Sequence, residues 1–230
     1  MRPTVPTLLS FNGGYVDTVG YLSLQGLFTA HVTGNFVTIG AALVFGTSGV
    51  VAKLLALPVF CSVIIVTRLV SFNVPQRWPV FETMLTLKLL LLLVAAVLAI
   101  SMSPFANGNT APAIIVGMLL VSAMAIQNAA NRIHFSTAPP TTIMTGTTTQ
   151  IMIDIADSIR GVPGPGAARD AIRSRLRRMC VAVASFGVGA AAGALLFNTI
   201  GSWCFAIPPV VALLARITAK SSLTTPTVVP

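Results

Sequence analysis

Long apolar stretches separated by short polar clusters make up most of this chain. The first stretch runs from about Leu8 to Phe45. As one straight helix it would measure about 57 Å, which exceeds the roughly 30 Å hydrocarbon core of a bilayer. The stretch contains Thr33-Gly34, and glycine weakens a helix. We therefore predict that the helix breaks at Thr33-Gly34.

Further apolar segments follow, separated by proline, glycine and asparagine clusters that are typical of turns. They cover residues 54–72, 81–102, 113–130, 145–159, 179–197 and 203–217. Within 179–197, Ser185, Gly189 and Gly193 recur every four residues, a small-residue face that lets another helix approach closely. We expect Pro208-Pro209 to bend the last segment. The polar tail, residues 218–230, is predicted to be disordered.

The composition decides the class of protein. Of the 230 residues, 55% are hydrophobic and 8% are charged, and the mean hydropathy is +0.89. Because soluble domains carry roughly 25% charged residues, we predict an integral membrane protein with one domain over residues 1–230. The three cysteines lie in apolar segments without metal-ligand spacing, so we predict neither a disulfide nor a metal site.

The two halves of the chain share a pattern. Thr29, Thr33, Gly34 and Ile39 recur at the same spacing as Thr141, Thr145, Gly146 and Ile151. In each half, a long broken element precedes two ordinary apolar segments. We predict an all-α membrane protein with about six transmembrane helices, arranged as two three-helix units, 8–102 and 113–217. An odd number of crossings per unit turns the second unit upside down, so the units form an inverted repeat with broken first helices.

The basic residues predict the orientation in the membrane. Six of the fourteen fall between Arg160 and Arg178, so the positive-inside rule places the loop 160–178 in the cytoplasm. With six crossings, both termini, Arg77 and Arg216 lie on that side, and Lys53 lies outside. Eight crossings, in which each broken element crosses twice, also obey the rule and stay open.

The net charge of +9 does not indicate a nucleic-acid partner, because the basic residues are not interleaved with aromatic ones on a polar domain. Anionic lipid head groups are the expected partners of these charges. A homo-oligomer is left open.

The first group of candidate site residues surrounds the predicted break. Acids within membrane spans usually face a bundle interior or a water-filled cavity, although Asp17 could instead lie at the cytoplasmic interface. His31 could accept a proton or serve as a hydrogen-bonded structural residue. Thr33, Gly34 and Asn35 supply hydroxyl, backbone and amide groups that suit a desolvated ion or a small polar solute.

The second group lies in the other half. Gln127, Asn128 and Arg132 form a polar stripe on an apolar helix, which either lines a site or links helices by hydrogen bonds. A buried arginine needs a counter-charge, and Asp17 is the best candidate partner, with Asp154 next. The remaining candidates are Thr145, Gly146 and Asp154. We expect the two Thr-Gly pairs to meet near the bilayer centre and Lys88 to snorkel to the interface.

Two ordered motifs carry a family resemblance. Gly14-Tyr-Val-Asp17, leading through Thr29-Ala-His-Val-Thr to Gly34-Asn35, resembles the N-terminal signature of the YoaK family of uncharacterised bacterial membrane proteins. Ala125-Ile-Gln127-Asn128, followed by Thr141 to Gly146, is similar to the second signature of that family. The resemblance implies a multi-span inner-membrane protein and supplies no catalytic residues.

The leading functional hypothesis is a small secondary transporter or channel-like protein for a small polar or ionic solute, with the candidate residues around its site. The alternative is a membrane scaffold or sensor in which the polar residues only link helices, and an intramembrane enzyme is third. No hydrolase, metalloprotease, phosphate-loop or dinucleotide motif occurs. We therefore predict no enzymatic activity and no cofactor.

Overall fold

The computed structural model describes residues 4–75, 78–135, 138–162 and 166–224. In these residues the chain forms α-helices joined by loops, with no β-strand, which confirms the predicted all-α fold. The helices are α1 (Val5–Ser23), α2 (Gly34–Phe45), α3 (Val50–Asn73), α4 (Val80–Met102), α5 (Ala111–His134), α6 (Met144–Ile159), α7 (Ala167–Ile200) and α8 (Ile207–Thr224). A short 3-10 segment, Gly201–Ala206, joins α7 to α8.

The predicted helix break is present. Helix α1 ends at Ser23, and α2 begins at Gly34 directly after Thr33. In the second half, α6 begins at Met144, so Thr145-Gly146 lies in its first turn rather than at the break. Four helical stretches are long and apolar enough to cross a bilayer: Val50–Asn73, Val80–Met102, Ala111–His134 and Ala168–Lys220.

Three boundaries differ from the sequence prediction. Helix α7 begins at Ala167, so most of the predicted basic loop is a helical extension of α7. Pro208 and Pro209 lie in the first turn of α8 rather than at a bend, where the missing N–H groups have no helical partner to lose. Helix α8 continues to Thr224, beyond the predicted limit at residue 217. Arg2, Arg77 and residues 225–230 lie outside the described residues.

Residue contacts fix the relative directions of the helices. Gly189 faces Phe11 and Gly193 faces Tyr15, so α1 and α7 run parallel. Lys88 meets Gln127 and Phe81 meets His134, so α4 and α5 run antiparallel. Helix α1 also runs antiparallel to α5, because Gln127 contacts Leu9 whereas Gly117 contacts Leu24.

The packed helix pairs come in matched sets. Helix α1 packs on α7 as α3 packs on α5; α4 packs on α5 as α8 packs on α1; α2 packs on α3 as α6 packs on α7. The two remaining α-helix pairs are α1 with α5 and α4 with α8. If α1 is exchanged with α5, α2 with α6, α3 with α7 and α4 with α8, the same set of packed pairs results.

Glycines allow α1 and α7 to cross at close range. A Cβ atom built on Gly189 would lie 2.0 Å from the carbonyl oxygen of Phe11, and one on Gly14 would lie 2.1 Å from that of Phe186. Both obstacles are backbone atoms, so a side chain at either position forces the helices apart. The predicted small-residue face of α7 is thus a contact surface for α1.

This crossing gives the first testable prediction. Gly189→Ala should lower the free energy of unfolding by about 1–3 kcal/mol, because the added methyl group would overlap the Phe11 backbone of α1 and push the two helices apart. Gly187→Ala is the matched control, since a Cβ atom there would meet nothing within 4 Å; it should leave stability unchanged or raise it slightly through helix propensity. Thermal melts in detergent compare the two, and equal melting temperatures would show that the crossing is not close in solution.

Candidate functional site

The first loop, residues 24–33, folds back along α1. Asp17 lies more than one helical turn before the end of α1, yet its Oδ1 accepts hydrogen bonds from the backbone N–H groups of Thr29, at 2.8 Å, and Ala30, at 2.7 Å. Helix α2 starts from this depth and leads to Gly49, which packs against Gln25 near the end of α1. The loop and α2 therefore form a re-entrant excursion into the bundle.

Two side chains hold this loop. The buried Asp17 carboxylate also accepts from the Thr29 hydroxyl, at 3.3 Å, and its Oδ2 lies 2.6 Å from Nδ1 of His31. The buried Asn35 side chain accepts from the N–H of Phe28 and donates to its carbonyl, both at 2.8 Å. Backbone groups that a helix would have satisfied are thus paired with a carboxylate and an amide, which a loop inside a membrane bundle requires.

A groove of about 560 Å³ lies beside the Asp17–His31 pair. It is lined by Asp17, Thr18, Tyr21, Leu22, Phe28, His31, Thr33, Gly34, Phe186 and Ala194. The His31 side chain is 33% exposed, whereas that of Asp17 is 6% exposed. The imidazole is therefore the polar group of the pair that a solute in the groove would reach first.

The second loop, residues 135–143 of which 136 and 137 lie outside the described residues, is held in a similar way. Oδ1 of Asn128 accepts from the Thr142 hydroxyl at 2.6 Å. Nε2 of Gln127 donates to the Thr141 hydroxyl at 3.0 Å and to the Leu9 carbonyl at 2.8 Å. Side chains of α5 thus anchor the loop that leads into α6, as Asp17 of α1 anchors the loop that leads into α2.

Both loops reach the same helix, although not through the Thr-Gly pairs. A Cβ atom on Gly13 would lie 2.8 Å from the carbonyl oxygen of Thr141, and Asp17, one turn further along α1, binds the first loop. Thr33, Thr145 and Gly146 are exposed. The groups that meet α1 are therefore those just before the Thr-Gly pairs, because the pairs themselves begin the short helices.

The predicted partners of the acidic residues are wrong. Arg132 is exposed and makes no ion pair in the described structure; it lies in the last turn of α5, where its side chain can leave the bundle. Asp17 instead pairs with His31. The buried Asp154 accepts two hydrogen bonds from Arg175, from Nε at 3.0 Å and from Nη2 at 2.6 Å, and a third from Gln150. Asp154 therefore fastens α6 to α7.

Sequence reasoning missed Lys88. Its side chain is fully buried rather than snorkelling, and Nζ donates to Oε1 of Gln127 at 2.5 Å. The position gave a signal: Lys88 lies about 12 Å along α4 from Val80, too deep for an easy reach to the interface. Lys88, Gln127 and Thr141 thus form one buried chain of polar groups that ends at the second loop.

Comparison with known proteins identifies the family of this chain. The model of a family described as "Protein of unknown function (DUF1275)" matches residues 5–218. The chain belongs to this family. It is similar to the UPF0700 transmembrane protein YoaK of Bacillus subtilis (strain 168), with 35% identity over 160 residues, which cover 67% of this chain and 68% of the relative. No solved structure matches. The resemblance drawn from the two motifs is confirmed, and this DUF1275 member is a transmembrane protein.

The polar chain at Lys88 gives a second prediction. Gln127→Leu should lower the free energy of unfolding by about 2–4 kcal/mol, because it leaves the buried Lys88 amine without its acceptor and removes the hydrogen bonds that Gln127 donates to Leu9 and Thr141. Adding Lys88→Met should recover at least about 1 kcal/mol, since the double variant no longer buries an unpaired amine. Denaturant titrations of both single variants and the double variant complete the cycle. Strict additivity would mean that the two side chains do not interact.

The Asp17 contacts give a third prediction. Asp17→Ala should destabilise the protein by about 2–4 kcal/mol, because several loop donors lose their acceptor together. Arg132→Gln should stay within about 0.5 kcal/mol of the wild type, as expected for an exposed position. The two effects should add in thermal melts of the double variant. If Arg132→Gln instead restored the stability lost in Asp17→Ala, the result would indicate a direct ion pair between Asp17 and Arg132.

Proposed function

We propose that this protein is a small secondary transporter for a small polar or ionic solute. The observation that carries the proposal is that two loops re-enter the bundle and reach one helix, α1, one turn apart, at Gly13 and Asp17. Irregular backbone at membrane depth persists only where protein buries it or where it lines a cavity. Transporters place such interrupted elements at their solute sites. The groove beside Asp17 and His31 is the proposed entry to that site.

The proposed architecture is an inverted repeat with six crossings: α1, α3 and α4 in the first unit, and α5, α7 and α8 in the second. Two observations support it. The matched helix pairs map each unit onto the other, and α1 runs antiparallel to its counterpart α5. In this arrangement α2 and α6 are the re-entrant helices and do not cross.

The proposed orientation places the basic start of α7 in the cytoplasm of a bacterial cell. A cavity of about 650 Å³ is lined jointly by Thr4 and Thr7, at the start of α1, and by Ser174 and Arg178 of α7. The N-terminus and the basic extension therefore share one end of the bundle. The positive-inside rule assigns this end to the inner face of the inner membrane, beside anionic lipids.

A membrane scaffold or sensor is the second candidate. One observation favours it: Asp17 Oδ1 and the Gln127 amide already bind groups of the protein itself, so part of the polar interior serves to hold loops. The two candidates differ in whether the groove passes a solute. Neither requires a catalytic step.

Blocking the groove tests transport, and this is the fourth prediction. Purified protein is first screened by thermal shift against small ions, acids and amines, and a stabilising solute is then followed into proteoliposomes. Ala194→Phe should abolish uptake, because Ala194 lines the groove. Ala191→Phe, at an exposed position on the same helix outside the groove lining, should transport normally. Equal uptake by both variants would place the pathway elsewhere, and no uptake by the wild type would favour the scaffold.

Cysteine labelling in intact cells tests the topology, as the fifth prediction. With Cys61, Cys180 and Cys204 replaced, Thr47→Cys between α2 and α3 should react with an impermeant maleimide from outside. Ser174→Cys on the basic extension should react only after the cells are opened. The reverse pattern would invert the proposed orientation, and reaction of both from outside would break the six-crossing scheme.

A further inference from the structure

We infer that the groove beside Asp17 and His31 binds an organic ammonium ion with an apolar body, and that this cation and a proton on His31 exclude each other. The inference deepens the proposed function, because it names the class of solute for the same groove. It rests on the charge, hydrogen-bond and aromatic inventory of the residues that line the groove.

The groove has no surplus of positive charge, although the chain carries +9 overall. Its ionisable side chains are Asp17, His31 and Tyr21, and no lysine or arginine occurs among its described lining residues. The groove carries one negative charge when His31 is neutral and none when His31 is protonated. An anion would meet repulsion or neutrality, whereas a cation would meet the carboxylate field.

Among the described residues, the elements around the groove place no further charged side chain in its lining. From α7, Phe186 and Ala194 face the groove, and from α2, Gly34 does. From α5, Gly117 packs against Leu27 of the loop. Lys53 of α3 lies near Gly26, at the other end of the loop, and its Nζ donates to the carbonyl of Ser48. Asp17 and His31 therefore set the charge of the groove.

Five backbone donors around the groove are already paired within the protein. The N–H groups of Thr29 and Ala30 already bind Asp17. At the start of α2, the N–H groups of Gly34 and Asn35 bind the carbonyls of His31 and Val32, at 2.8 and 3.2 Å, and Phe36 N–H binds Thr33. The usual anion-binding property of a helix N-terminus is thus used up by the preceding turn.

Aromatic rings provide the apolar and cation-attracting surface. The ring centroids of Tyr21 and Phe28 are 4.9 Å apart, those of Phe28 and His31 6.2 Å, and those of His31 and Phe186 5.6 Å. Aromatic faces attract ammonium ions electrostatically, most strongly where water is excluded. Two rings beside the imidazole, Phe28 and Phe186, and a third ring, Tyr21, against Phe28 therefore suit a cation that carries hydrocarbon.

The histidine makes binding of a proton and binding of a cation mutually exclusive. When neutral His31 donates its Nδ1 proton to Oδ2 of Asp17, its Nε2 is a hydrogen-bond acceptor, which an ammonium N–H group can satisfy. A proton on Nε2 turns this acceptor into a donor and neutralises the charge of the carboxylate. Binding of the cation then requires release of one proton to solution, so the site holds one positive charge from either source. Exchange of a proton for an ammonium ion follows directly from this competition.

Three probes of one shape test the charge preference: benzylammonium, benzyl alcohol and benzoate. Binding to the purified protein is measured by calorimetry at about pH 8 and about pH 5.5, on either side of the usual histidine range. We expect benzylammonium alone to bind at the higher pH, with proton release that grows as the pH falls, and with at least ~10-fold weaker affinity at the lower pH. Preferential binding of benzoate, equal binding of all three probes, or no binding of benzylammonium would overturn the inference.

Variants identify the groups involved. His31→Gln keeps a hydrogen-bonding side chain beside Asp17 and should bind benzylammonium with the same affinity at both pH values. Phe186→Leu should weaken binding at least ~5-fold at the higher pH through loss of an aromatic face, whereas Phe45→Leu, at an exposed position of α2 outside the groove lining, should not. Unchanged pH dependence in His31→Gln, or equal effects of the two phenylalanine variants, would contradict the assignment.

The experiments can overturn the transport proposal and the cation-binding inference independently of each other. Benzylammonium binding without uptake into proteoliposomes under a pH gradient would support the cation site and remove the transporter. Uptake of a different, anionic solute that Ala194→Phe blocks would support the transporter and overturn the cation class.

Discussion

The Asp17 carboxylate resolves the main physical difficulty of this fold, which is how the non-helical segment between α1 and α2 lies inside a membrane protein. Its Oδ1 accepts hydrogen bonds from the N–H groups of Thr29 and Ala30, and its Oδ2 is hydrogen-bonded to the ring of His31. Each unsatisfied backbone group in an apolar environment costs several kcal/mol, so the reversal after α1 depends on this acceptor. Once the loop is fastened, α2 must begin inside the bundle, and the groove follows from that starting point.

The α1–α7 crossing completes the site from the other side. Gly14 and Gly189 let the two backbones approach closely, since a Cβ atom on either would overlap a carbonyl group of the opposite helix. This approach carries Phe186 to the ring of His31 and Ala194 to the wall of the groove. The helix packing and the composition of the groove therefore have one origin: larger residues at the crossing would withdraw α7, and with it the aromatic face, from the histidine.

The sequence predicted the features that depend on local pattern. Segment length required a break in the first apolar stretch, and α2 does begin at Gly34; the four-residue glycine spacing identified the face of α7 that meets α1. Partner choice was not predictable in the same way. The helical wheel grouped Arg132 with Gln127 and Asn128, yet a wheel cannot show that Arg132 lies in a last turn from which it can reach solvent. Asp17 found its partners in the loop it anchors, because a chain reversal brings residues 12 to 14 positions away beside it. The burial of Lys88 was not predicted, because an apolar run shows how deep a residue lies along a helix but not which face of that helix points into the bundle.

The two halves of the chain hold their buried loops with different polar groups. Asp17 holds the first loop with a charge, whereas Asn128 holds the second with a neutral amide that accepts from Thr142. A carboxylate carries a charge that a proton on His31 can balance, whereas an amide carries none. The second loop instead connects through Gln127 to the buried amine of Lys88. The two loops are therefore held by similar packing but are chemically unequal, because a carboxylate paired with a histidine anchors the first and neutral amides anchor the second.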